Sequence, residues 1–337
     1  MQSSTAVLGA GSWGTALAIL IARNGHPVTL WGHDPEHIAR LSADLQNRRY
    51  LPDSLFPDSL SLSNDLKGVA ASSDTLIVVV PSHAFRSTLS QVSGSMPDGS
   101  RIAWATKGLE HTTGKLMHAV VAEVLGEDRP MAVLSGPTFA VEVAKNQPTA
   151  ITVASTCKDF AGGLVSLLHN SAFRTYTTDD LIGVQLGGAT KNVLAIAAGV
   201  ADGFGFGANA RAALVTRGLA ELMRLCMALG GRIETLMGLA GVGDLILTCT
   251  DNQSRNRRFG VGLGKCRSRD EVVAEIGQEI EGIATAATVR QLSQALGIDM
   301  PISEQVYRIL YEGLCPGEAV QNLLLREPKA EKFSSAD

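Results

Sequence analysis

The chain has 337 residues, 45% hydrophobic and 18% charged, with a formal net charge of −4; that length exceeds what one hydrophobic core usually supports and predicts two domains. A faintly acidic, rather apolar chain has no general attraction for nucleic acid or an anionic membrane, so an anionic ligand must be held by local basic groups. The five cysteines (Cys157, Cys226, Cys249, Cys266 and Cys315) and the seven histidines show no CxxC, HExxH or mixed ligand spacing, which points to reduced thiols in a cytoplasmic protein and to no metal.

Met1 to Ala22 carries no charge. It lacks the basic segment that a secretory signal places before its apolar core, and a membrane span would not hold Gly9, Gly11 and Gly14 with Ser12 and Thr15 at its centre. Thr5–Leu8 instead predicts a strand. Ser12–Asn24 predicts a helix with Ala16, Leu17, Leu20 and Ile21 on one face, stopped at Asn24-Gly25. Between them stands Gly9-Ala10-Gly11-Ser12-Trp13-Gly14, a GxGxxG set directly after a strand and opening a helix. In such a turn the first glycine makes the bend and the second lets backbone approach a pyrophosphate. The third lets helix and strand pack closely, and the helix N-terminus receives the phosphate charge.

Pro27–Trp31 predicts the next strand. Its end is where a carboxylate selects NAD by bonding the ribose 2′-hydroxyl, and here the residues are Gly32-His33-Asp34. Asp34 is a candidate for that role; with His33 at the tip, nothing repels a 2′-phosphate, which favours NADP(H) or use of both cofactors. Thr75–Val80 is a continuous apolar run, the mark of a strand buried on both faces. Arg101–Thr106, Met131–Leu134 and Pro148–Ala154 predict further strands, with helical stretches such as Leu116–Leu125 between them. The expected fold class is α/β: a Rossmann-type, doubly wound, mostly parallel sheet over residues 1–182. After that the texture changes. Leu186–Ala201, Asn209–Leu229, Asp270–Gly277, Ala284–Leu296 and Glu304–Leu310 predict an all-helical domain over residues 183–330. There is no internal repeat, and the charged tail 331–337 is expected to be frayed.

Carbonyl reduction needs a hydride donor, a proton source at the developing alkoxide, and groups that hold the substrate. Lys191 is the first candidate proton source, as the only charged residue within Gly183–Ala201. Either it snorkels to a surface or it is paired in a buried site, where its pKa falls towards a useful range. Lys107 follows the strand Arg101–Thr106, where residues line the ligand crevice of such sheets, unless it is a solvated turn lysine. Ser135-Gly136-Pro137-Thr138 also follows a strand, as a ligand loop or a plain turn. Asp244 lies in a glycine-framed apolar stretch, an odd place for a carboxylate without a partner. Ser254-Arg255-Asn256-Arg257-Arg258 concentrates cations and donors suited to phosphate oxygens, or is a solvated basic loop.

Taken together, GAGSWGTALA, VVVPSHAFR, WATKGLE, SGPTFA, GVQLGGATKNVLAIAAGVADGFGFGANARAAL, GLAGVGDLILTCTDNQSRNRRFG and EIEG resemble the bacterial NAD(P)-dependent glycerol-3-phosphate dehydrogenases over nearly the whole chain. The resemblance implies that Lys191 is the proton donor and acceptor and that Lys107 contacts both substrate and cofactor. It implies that Gly136, Thr138, Asp244, Ser254, Arg255 and Asn256 hold the substrate, with Thr248 in support and Arg255 also touching the cofactor. Beside Gly9, Gly11 and Gly14, it puts Ser12, Trp13, His33, Phe85, Ala140, Glu279 and Glu281 on cofactor-binding positions. Members are typically homodimeric, cytoplasmic and metal-free, and supply glycerol 3-phosphate for phospholipid synthesis.

Two other readings are consistent with parts of the pattern. A reductase of a keto or hydroxy acid on the same architecture would account for the fold and the lysine. A non-catalytic dinucleotide-sensing regulator would need a partner surface or DNA-binding helix, of which the sequence shows no sign.

Overall fold

The computed structural model describes residues 4–327, so the tail expected over 331–337 lies outside the described residues. The chain divides into two compact units. One runs up to Thr106 and resumes over Met117–Leu181; the other takes Lys107–Leu116 and the chain from Ile182 onward. The segment 107–116 therefore sits with the helices rather than with the sheet that precedes it. Its Leu109 and Leu116 are buried in a core with Leu186, Ala189, Leu222 and Val289.

The first unit is an eight-stranded sheet: β1 (Thr5–Leu8), β2 (Val28–Trp31), β3 (Leu60–Ser63), β4 (Thr75–Val78), β5 (Arg101–Trp104), β6 (Met131–Ser135), β7 (Thr149–Ala154) and β8 (Phe173–Thr178). Their spatial order is β3-β2-β1-β4-β5-β6-β7-β8. Every residue of β1, β4 and β6 is buried, as expected where helices cover both faces of a parallel sheet. The chain runs outward from β1 to β3 and then returns to lay β4 on the other side of β1. That reversal leaves a crevice at the carboxyl ends of β1 and β4, where ligands of such sheets bind.

β3 and β8 are not among the predicted strands. They read Leu-Ser-Leu-Ser and Phe-Arg-Thr-Tyr-Thr-Thr and lie at the two edges; edge strands need no continuous apolar run. The sheet is parallel except at β6 and β7, which pair antiparallel. The connection over residues 136–148 carries only the 5-residue helix Ala140–Ala144, too little to cover the sheet in a full crossover. Under the sheet, the helix Ser12–Arg23 buries every residue from Gly14 to Ala22.

The second unit is helical, with no strand among its described residues. Its axis is the 23-residue helix Leu181–Gly203, buried at every position from Gly183 to Ala201. This is the one helix among the described residues long and apolar enough to cross a membrane, yet 94% of its apolar window is buried inside the protein. A helix apolar on all sides and enclosed by neighbours is a core helix. Ala208–Ala228, Arg269–Ile276, Glu281–Ala295 and Pro301–Tyr311 match the predicted helices to within a few residues. Asp244–Thr250, Arg255–Gly264 and Pro316–Leu324 are additional.

Candidate active site

In the sheet unit the glycine-rich turn has the geometry its sequence calls for. Gly9 ends β1 with φ 128°, a conformation that side chains bearing a β-carbon rarely adopt. A β-carbon there would lie 2.4 Å from the Val79 carbonyl oxygen, and one on Gly14 would lie 1.9 Å from the Gly9 carbonyl oxygen. Gly11 differs: among the described residues, and apart from its own chain neighbours, no atom comes within 4 Å of the place its β-carbon would take. It caps the helix Ser12–Arg23 with no side-chain acceptor on the first-turn N–H groups. Open space beside uncapped helix N–H groups fits a diphosphate, so these residues suit the dinucleotide. The loop is braced from below by Asn47, wholly buried, which donates to the Ala10 carbonyl at 3.2 Å and to Thr15 Oγ1 at 2.9 Å. His37 Nε2 lies 3.2 Å from the same carbonyl.

The other cofactor candidates of this unit are arranged around that turn and the strand ends. Ser12 and Trp13 open the helix, and the Trp13 indole N–H is buried without a partner among the described residues. His33 is exposed beyond β2. The Asp34 carboxylate is occupied: it caps the helix Pro35–Asp44, accepting from the Glu36 N–H at 3.0 Å. Backbone donors from His37 and Glu36 hold its carboxyl below the usual range. Gly136 and Thr138 follow β6, Thr138 Oγ1 donating to the Gly136 carbonyl at 3.2 Å, and Ala140 begins the next short helix. Phe85 is fully buried and edge-on to Trp104 at 6.1 Å, a core position with no face open to a ligand.

In the helical unit the chemistry gathers on Asp244. It starts the helix Asp244–Thr250 directly after a π-helical turn, Leu239–Gly243, and is 1% exposed. Its Oδ2 accepts from Lys107 Nζ at 2.7 Å, and its Oδ1 accepts from Lys191 Nζ. Lys191 also donates to Thr248 Oγ1 at 3.0 Å, while the Thr248 hydroxyl donates to the Asp244 carbonyl at 2.5 Å. Lys191 is therefore a paired, buried ammonium and not a snorkelling one. Gly187, one helical turn before it, meets the π-turn backbone to backbone: a β-carbon there would lie 2.3 Å from the Ala240 carbonyl oxygen. That contact sets Asp244 against the face of the helix that carries Lys191.

Burial drives Lys191 down to about 7; Asp244 pulls against this, and the Lys107 ammonium pushes the same way as burial. For Asp244, burial alone would raise the carboxyl, but the two ammonium groups outweigh it and hold it below the usual range. An ionised carboxylate flanked by two amines, one of them near neutrality, can give or take a proton at Lys191 without ionising anything else. Cys249, the nearest thiol in sequence to this group, is pushed up to about 12 by burial and is no nucleophile.

Ser254 caps the helix Arg255–Gly264, accepting from the Arg257 N–H at 3.2 Å, and Arg255 opens it, partly exposed. Asn256 donates to Asn192 Oδ1 at 3.0 Å and accepts from the Gly282 N–H at 3.0 Å. It is thereby tied to the residue next to Lys191. Glu279 is exposed and Glu281 partly exposed at the start of the helix Glu281–Ala295. Direct contacts thus join Lys107, Lys191, Asp244 and Thr248, with Asn256 attached through Asn192. The glycine turn, Gly136 and Thr138 belong to the other unit. Asn192 and Asn47 were missed in the sequence. Asn192 adjoins Thr190 and Lys191, a polar cluster in an apolar helix that could have flagged it; Asn47, in an irregular polar stretch, gives no signal. Among the described residues, no group of His, Cys, Asp and Glu side chains is placed to hold a metal.

A dinucleotide turn at the sheet switch point and a buried lysine–aspartate–lysine group define the class: an NAD(P)-dependent oxidoreductase. The chain belongs to the NAD-dependent glycerol-3-phosphate dehydrogenase family, residues 4–161 matching the model of its N-terminus and residues 180–321 that of its C-terminus. It is 62% identical to glycerol-3-phosphate dehydrogenase (NAD(P)+) of Methylococcus capsulatus over 332 residues, 98% of this chain and 99% of that protein. The enzyme of that name from Pseudoalteromonas translucida is 57% identical over 330 residues, 98% of each. A crystal structure of glycerol-3-phosphate dehydrogenase from Coxiella burnetii superposes with a TM-score of 0.94 at 50% identity, over 96% of this chain and 99% of that one.

Proposed function

We propose that this protein catalyses reversible hydride transfer between NAD(P)H and dihydroxyacetone phosphate, forming sn-glycerol 3-phosphate for glycerophospholipid synthesis. The observation that carries this reading is the Asp244 carboxylate holding Lys107 and Lys191 together in a buried site. When bound, NAD(P)H supplies the hydride. Lys191 gives its proton to the alkoxide that forms at the reduced carbon, and in the reverse direction takes it from the alcohol. Asp244 orients both amines, and Thr248 fixes the Lys191 ammonium. Lys107 holds the substrate oxygen and adds to burial, the larger cause, in lowering the Lys191 amine.

Gly136, Thr138, Ser254, Arg255 and Asn256 hold the rest of the substrate. Arg255 and Asn256 clamp its phosphate, whose binding energy is spent on orienting the carbonyl. Residues 1–182, apart from the segment 107–116, would serve the dinucleotide through Gly9, Gly11, Ser12, Trp13, Gly14, His33 and Ala140, while the buried Phe85 stays in the core; residues 183–330 would serve the substrate, and Lys107, Arg255, Glu279 and Glu281 are proposed cofactor contacts as well. The occupied Asp34 and exposed His33 support acceptance of NADPH beside NADH. The protein is proposed to work in the cytoplasm as a homodimer and without membrane insertion, the last of these supported by the enclosed helix Leu181–Gly203.

The test is NADPH oxidation with dihydroxyacetone phosphate, repeated with NADH and with ketopantoate. Turnover on the triose phosphate is expected. Turnover on ketopantoate alone would favour the keto-acid reductase, and tight NADPH binding with no turnover would favour a sensor.

A further inference from the structure

We propose that Asp202 is a positioning residue for the phosphate clamp, acting through Arg257; this rests on the reading of Arg255 and Asn256 as that clamp. Asp202 lies in the last turn of the helix that carries Lys191, with its side chain 12% exposed. Its Oδ2 accepts from Arg257 Nη2 at 2.5 Å, and both its oxygens accept from Arg211 Nη1 at 3.0 Å. One carboxylate thus ties the end of the Leu181–Gly203 helix to the first turns of Ala208–Ala228 and Arg255–Gly264.

Arg257 is the link to the clamp. It follows Arg255 and Asn256 directly, its backbone N–H is held by Ser254 Oγ at 3.2 Å, and its guanidinium also donates to Asn252. Among the described residues its Nε is buried with no partner, while Nη1 donates to Asn252 and Nη2 to Asp202. Its backbone is pressed against the same helix: a β-carbon on Gly199 would lie 2.1 Å from the Arg257 carbonyl oxygen. Gly199 and Asp202 are neighbours on one helix face. They grip Arg257 by backbone and by side chain, so the turn bearing Arg255 and Asn256 has one position relative to Lys191.

At 1.5 Å per residue, Asp202 stands about 16 Å along the helix from Lys191. That is too far to exchange a proton with it, so Asp202 acts on phosphate binding and not on the acid.

The test uses the full-length enzyme with Asp202→Asn and Asp202→Glu. It reads KM for dihydroxyacetone phosphate, the inhibition constant of inorganic phosphate, and the pH dependence of kcat. None of these depends on how much of a preparation is folded, apart from the absolute kcat. With Asp202→Asn, KM and the phosphate constant should both rise about tenfold or more, the cost of a misplaced binding group. The pH at which kcat breaks should stay at the wild-type value. Asp202→Glu keeps the charge one methylene further out and should lie between the two. Values within about twofold of wild type in both variants, or a shifted pH break with unchanged KM, would overturn the proposal. Absence of wild-type turnover would instead count against the enzyme reading, and calorimetric binding of inorganic phosphate to wild type and variant would still decide the role of Asp202.

Discussion

Gly187 and Ala240 touch through bare backbone, and the Lys191–Asp244 pair depends on that contact. The Ala240 carbonyl oxygen occupies the space a Gly187 side chain would need, 2.3 Å from its β-carbon position. Gly187→Ala should therefore push the Leu239–Gly243 turn outward and draw Asp244 off the Lys191 amine. The expected stability cost is about 1–3 kcal/mol, with a fall in kcat larger than the change in NADPH affinity. A variant with wild-type melting temperature and kcat would show that the turn has room to move.

Gly11 makes the opposite case. Its β-carbon position is empty, and its φ is not in the left-handed region. Gly11→Ala should leave the fold intact, with a stability change within about 0.5 kcal/mol. The added methyl would stand where the proposed site brings the pyrophosphate to the backbone, so KM for NADPH should rise about tenfold or more. Fluorescence titration of NADPH on a variant of unchanged melting temperature checks this. Unaltered affinity would move the diphosphate away from Gly11.

The pH dependence follows from Lys191. Burial, helped by Lys107, brings it down to about 7. The proton that Lys191, as the proposed acid, would give in ketone reduction is present below that value and lost above it. For reduction, kcat/KM should be level in acid and fall with rising pH beyond about 7; for alcohol oxidation, which needs the neutral amine, kcat/KM should fall as pH drops below about 7. Lys107→Met removes a neighbouring ammonium, so Lys191 should rise and both breaks move to higher pH. Profiles of kcat/KM in each direction test the sign. Breaks unmoved by Lys107→Met would mean that another group titrates.

How much of this was legible in the sequence depends on where each element gets its stability. Gly9–Gly14 and the strands β1 and β4 are local patterns, and the helix around Lys191 announces itself by being apolar on all sides. The helix Arg255–Gly264 does not: Gly260, Gly262 and Gly264 give it poor propensity. It forms because those glycines let it lie against its neighbours, Gly260 with a β-carbon position 2.1 Å from the Ile196 carbonyl oxygen. The edge strands β3 and β8 are too polar to stand out. Lys107–Leu116 joins the helical unit through contacts far away in sequence, such as Leu109 and Leu116 against Leu186 and Val289. No local pattern carries that information. Asp244 was visible only as an anomaly, a carboxylate in apolar company, and the structure supplies the two lysines that explain it.

The Lys191 ammonium is the proposed acid that completes reduction. Single-turnover mixing of NADPH-loaded Lys191→Met enzyme with dihydroxyacetone phosphate measures this most directly, with NADPH binding checked by fluorescence in the same sample. Hydride transfer should slow by about 10²–10⁴-fold, the usual contribution of a positioned general acid, while NADPH affinity stays near that of wild type. Transfer within about threefold of the wild-type rate would contradict the account and remove Lys191 from the reaction.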